Sequence, residues 1–83
     1  MENQKECAQI MFKLTRKDNW NNCYDRLEHF KRFPNLKKII KDYKKWITLK
    51  KKPNYEAISL NSKFKKEIVE FVEKEMPHLS GII

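Results

Sequence analysis

The sequence predicts an all-α fold: a compact bundle of about four helices (approximately 3–16, 20–31, 35–50 and 63–76) with a short extended connector at 55–60. Two observations carry that expectation. Apolar residues recur at three- and four-residue spacing through four separate stretches, the signature of amphipathic helices. The chain also holds one glycine and three prolines and no long run of strict polar–apolar alternation, too few turn signals for an all-β protein. A 40% hydrophobic content with five Phe, three Tyr and two Trp is enough for one folded domain over residues 1–83, despite 36% charged residues.

The first helix carries Cys7, Ile10, Met11 and Leu14 at offsets 0, 3, 4 and 7, a single apolar stripe. Lys17-Asp18-Asn19 breaks the pattern, and its Asp and Asn are candidate N-caps for the next helix. The second helix uses Trp20, Cys23, Tyr24, Leu27 and Phe30 and ends at Arg32-Phe33-Pro34-Asn35. Proline disfavours helix at the residue before it and suits the first position of the next one. The third helix has the most regular pattern: Leu36, Ile39, Ile40, Tyr43, Trp46 and Ile47 fall within an arc of about 120°. Pro53-Asn54 stops it. Tyr55–Leu60 alternates too briefly to define a strand and reads as the extended connector. Asn61-Ser62 then caps a last helix built on Phe64, Ile68, Phe71, Val72 and Met76, which Pro77 ends.

Charge is distributed unevenly. The chain has a net charge of +8, yet residues 1–30 and 53–83 are close to balanced. The excess lies in Lys31–Lys52, where ten basic residues face one acid, Asp42. On the third helix Lys37, Lys38, Lys41, Lys44 and Lys45 form a second arc of about 120°, opposite the apolar one. Arg32 precedes this face, and Lys50, Lys51 and Lys52 continue it. Like charges three or four residues apart on a helix destabilise it by about 0.2–0.5 kcal/mol per pair. A polyanion relieves that repulsion and releases its own counterions, so the pattern points to nucleic acid. The competing explanation is composition: lysine outnumbers arginine 16 to 3 and is a good helix former, so a solvated face can fill with it.

The residue types restrict how nucleic acid would be held. Lysine is a point charge without the planar fork that reads guanine or grips phosphate bidentately. No Arg, Asn or Gln joins the lysine arc, so contacts would fall on phosphates and carry little sequence selectivity. The second helix, a four-residue turn and the basic third helix loosely resemble a helix-turn-helix, without its base-reading chemistry. Phe33 and Tyr55 flank the basic helix and are the aromatics placed to stack on bases. The alternative partner is an acidic or phosphorylated protein segment, with this chain as an adaptor or complex subunit. Trp46 beside a lysine face also suits a membrane surface, but that apolar arc is needed for the core.

Catalytic and metal chemistry find no pattern. One glycine cannot build a phosphate loop, and no Ser-His-Asp or Cys-His spacing occurs, so the chain is expected to be a non-enzyme without cofactors. Cys7 and Cys23 match no zinc spacing and lie on predicted apolar stripes, as small buried hydrophobes. His29 beside Glu28 faces away from its stripe, as a solvated histidine. Glu67, Glu70 and Glu73 line the outer face of the last helix. No apolar run approaches membrane-spanning length and no cleavable signal opens the chain, which places it in an intracellular, reducing compartment.

Trp20 at the start of the second helix, Arg32-Phe33 twelve residues later, Leu36 and Trp46 together resemble the FF domain, over Trp20 to Leu49 of the 83 residues. That resemblance implies a small helical adaptor of splicing and transcription proteins that binds acidic or phosphorylated peptides. It would give the basic surface a protein partner. The family's N-terminal phenylalanine has no counterpart and the helix at 63–76 lies outside the pattern, so no functional residue is carried over.

Overall fold

The computed structural model describes residues 3–79. In chain order they form α1 (Gln4–Arg16), β1 (Asp25–Arg26), a 3-10 turn at Leu27–Phe30, and α2 (Leu36–Asp42). Then follow β2 (Ile47–Lys51), β3 (Glu56–Leu60), a 3-10 turn at Ser62–Phe64, α3 (Lys65–Glu75) and a 3-10 turn at Pro77–Leu79. The strands make one antiparallel sheet in the order β1-β3-β2. The all-α expectation is therefore overturned: the protein is mixed α/β. Helices α1 and α3 stand where the periodicity predicts, and the Asn61 side chain accepts a 3.0 Å hydrogen bond from the Lys63 N–H at the entry to the last helical segment.

Three segments depart from the sequence reading, each for a physical reason. Residues 20–31 do not form a helix. Asp18 (φ 54°) and Asn21 (φ 55°) adopt the left-handed conformation that Asp and Asn tolerate best after glycine. The Asn19 carbonyl accepts from the Leu60 N–H at 2.7 Å, and the Asn21 N–H donates to the Leu60 carbonyl at 2.7 Å, stitching this stretch to the end of β3. Asn21 also donates through Nδ2 to Ser62 Oγ at 2.8 Å and accepts from the Ser62 N–H at 3.1 Å. These bonds outweigh the weak helix preference of Asn-Asn-Cys-Tyr-Asp.

The predicted helix 35–50 ends at Asp42. Tyr43–Trp46 is a turn, closed by the Ile47 N–H on the Tyr43 carbonyl at 2.9 Å, and Ile47–Lys51 is strand. Ile47 fits both the helical arc and a strand, but Leu49 lies outside that arc and matches Ile47 only at period two, and the β-branched Ile-Thr pair favours the extended form.

Residues 56–60, read as a connector, are instead the central strand. Ala57, Ile58, Ser59 and Leu60 are all buried because both faces of β3 are covered. A strand buried on both sides shows no alternation, which is why its sequence signal was weak. Ser59 stays satisfied there: its hydroxyl donates to the Asn21 carbonyl at 2.7 Å. The core joins Cys7, Ile10, Met11 and Leu14 of α1 to Phe30, Ile39, Ile58, Leu60, Ile68 and Val72. Cys7 is buried as predicted, but Cys23 is exposed, since the helical stripe that would have buried it does not exist.

Candidate anion-binding surface

Helix α2 packs across β2, and the predicted lysines emerge around that crossing. Lys37, Lys41 and Lys44 line a groove of about 420 Å³ with Ile40, Thr48 and Leu49. A smaller groove of about 230 Å³ adjoins it and adds Lys51 and Glu56. Glu56 stands opposite Lys51 in the β2–β3 register, an opposite-charge pair across the sheet. Among the described residues, no acidic side chain is within ion-pair distance of Lys37, Lys41, Lys44 or Lys51. Lys38 is exposed on α2 and shares a third groove with Lys31, Lys37 and Asn35.

The remaining predicted residues lie elsewhere. Lys45 is in the turn after α2, with its carbonyl bonded to Asn61 Nδ2 at 3.4 Å, and lines none of these grooves. Lys50 points to the other side of β2, its ammonium 5.0 Å from the centre of the Tyr24 ring. Lys52 is exposed at the hairpin, its N–H donating to the Tyr55 carbonyl at 2.8 Å. Arg32 lies on Phe33, 4.9 Å from the ring centre, and faces α1 instead of β2. The continuous lysine arc is thus divided, because the helix that would have carried it ends at Asp42. Of the two aromatics expected to stack on bases, Phe33 is 6% exposed and belongs to the core, whereas Tyr55 is 39% exposed beneath the Arg26 guanidinium.

A second basic groove, of about 990 Å³, runs between α1 and the turn at Arg32–Pro34. Its walls include Lys5, Lys13, Arg16, Lys17 and Arg32, with Phe12 and Phe33 between them and Glu6 as the one acid. Glu6 is already engaged: its carboxylate accepts from the Asn35 N–H at 2.8 Å and from Asn35 Nδ2 at 3.2 Å, serving free donors where α2 begins. Counting charge along the chain concealed this groove, because residues 1–30 balance. A face-resolved reading reveals it, since Lys5, Gln9, Phe12, Lys13 and Arg16 sit at offsets 0, 4, 7, 8 and 11, opposite the apolar stripe.

Beside this groove Asp25 anchors a small charge cluster. Its buried carboxylate takes Lys17 Nζ at 3.1 Å and His29 Nδ1 at 2.5 Å. Burial works against the charged carboxylate, but the hydrogen bonds and positive charge of His29 and Lys17 outweigh it, and its pKa lies below the usual value. His29 is therefore an orienting partner and not merely solvated, and the Lys13 ammonium donates to its carbonyl while lying over Phe30. Among the described residues, no group of three or more His, Cys, Asp or Glu gathers to hold a metal, and no helix is long and apolar enough to cross a membrane.

Fold and surface together define a small α/β domain with two basic grooves and an apolar core. No protein-family model, no curated protein and no solved structure matches the chain.

Proposed function

We propose that this protein is a non-catalytic module that holds nucleic acid through its phosphates, with little sequence selectivity. The observation that supports this most directly is the pair of adjoining grooves between α2 and β2, lined by Lys37, Lys41, Lys44 and Lys51 without an ion-paired acid among the described residues. Lysines held at fixed spacing by a helix and a strand suit a regularly spaced anionic backbone. Helix α2 presents no Arg, Asn or Gln beyond its first turn, so it positions the polymer and does not read bases. The two free thiols suit an intracellular, reducing compartment.

The test is an NMR titration at about physiological salt with duplex DNA, single-stranded RNA and an acidic phosphopeptide. Saturable shifts along α2 and β2 with nucleic acid, lost in a folded Lys37→Glu/Lys41→Glu/Lys44→Glu variant, are the expected result. Affinity should also fall linearly with the logarithm of salt concentration. A response to the phosphopeptide alone, or to nothing, overturns the proposal.

A further inference from the structure

The four grooves share lining residues. The α1 groove and the one beside Lys38 share Phe33 and Pro34 as a common wall. The latter shares Lys37, Leu27 and Glu56 with the groove at Lys51, which in turn shares Lys37, Ile40 and Leu49 with the groove at Lys41 and Lys44. The grooves therefore adjoin in series, a furrow from α1 past the Arg32–Pro34 turn to β2. Cations line it throughout. Two of its acids are already engaged, Glu6 on Asn35 and Glu28 on Arg26 at 3.4 Å, while Glu56 stands across the sheet from Lys51.

The α1 end has a second property. The Arg16 guanidinium lies 5.7 Å from the centre of Phe12 and that of Arg32 lies 4.9 Å from the centre of Phe33, both in the same groove. Among the described residues neither arginine pairs with an acid. An arginine held over a phenyl ring beside a cationic path supplies the cation and the aromatic group with which single-stranded nucleic acids and their unpaired bases are held. A duplex has no free base face to offer.

We propose that the furrow is one binding track for single-stranded nucleic acid, with phosphates on the lysines of α2 and β2 and bases stacked at Arg16 and Arg32. This rests on the nucleic-acid reading above and extends it to α1.

The experiment uses two exposed-residue variants of the full chain, each confirmed as folded by its unfolding temperature. One is Lys5→Gln/Arg16→Gln/Arg32→Gln and the other is Lys37→Gln/Lys41→Gln/Lys44→Gln. Both are titrated by fluorescence anisotropy with labelled single strands graded over about 4–16 nucleotides, and with duplexes of matched length, across a salt series. Each variant should lower the salt slope for the longest single strand by about 2, since a single strand contributes about 0.7 per phosphate. Between 50 and 200 mM salt that is about a 20-fold smaller loss of affinity than the unmodified protein shows. Only the α2 variant should alter duplex binding. If the α1 variant binds long single strands with unchanged slope while the α2 variant fails, the track is overturned and the nucleic-acid reading stands. If the unmodified protein binds neither single strands nor duplexes, both fall. If the α1 variant loses affinity for an acidic phosphopeptide and not for single strands, the α1 groove is a peptide site and the track is overturned.

Discussion

Replacing Ile58 by alanine separates the observed fold from a helical bundle more sharply than any surface change. In the structure Ile58 is fully buried at the middle of the central strand, opposite Asp25 on one side and Leu49 on the other. Truncating a buried isoleucine to alanine costs about 2–5 kcal/mol, the lost transfer energy plus the cavity left behind. The site is enclosed by α1 residues and by β1 and β2, so it collapses little, and about 3 kcal/mol is expected. A chain of 83 residues is stable by roughly 4–12 kcal/mol in total, so the loss is a large fraction of the whole. Urea unfolding followed by the fluorescence of Trp20 and Trp46 should show the midpoint falling by about 2–3 M, for a slope near 1 kcal/mol per molar. Should the alanine variant not fold, Ile58→Val is the fallback, with an expected cost of about 1 kcal/mol. On a solvent-exposed connector either change would stay within about 0.5 kcal/mol. A result in that range refutes the sheet-centred account.

Two further outcomes follow from the buried charge cluster and the thiols. Asp25 has a depressed folded pKa, so its stabilisation is fully present above the unfolded carboxylate value of about 4 and is lost as pH falls through the lower folded value. Asp25→Asn should therefore be less stable than the parent by about 1–3 kcal/mol at pH 7. The gap should close below about pH 4, and a gap that stays constant down to pH 2 would refute the assignment. Burial pushes the Cys7 thiol up to about 12, whereas Cys23 is exposed, so a thiol reagent at pH 8 should label Cys23 at once and Cys7 only on unfolding. Equal labelling rates in the native protein would contradict the packing of α1.

Much of this protein was legible from its residues alone, wherever a segment's neighbours in space are also its neighbours in sequence. The stripe Cys7-Ile10-Met11-Leu14 and the Asn61 cap before α3 are such cases, because a helix bonds to itself. The basic segment at Lys31–Lys52 was visible for the same reason: composition needs no fold. What the sequence did not reveal are features that depend on distant partners. Glu56–Leu60 becomes a strand only because Asn19, Asn21, Asp25 and Leu49 bring it bonds from both sides. Ile47 fits either period, and pairing with β3 selected the extended one. That choice divided the lysine arc between α2, a turn and β2. The α1 groove was hidden differently, since Lys5, Lys13 and Arg16 balance against acids in the chain, of which Glu6 alone among the described residues lines the groove. Local periodicity and composition thus determined the outer helices and the sign of the charge. Hydrogen bonds between remote strands, which only tertiary packing supplies, decided the sheet and with it the shape of the basic surface.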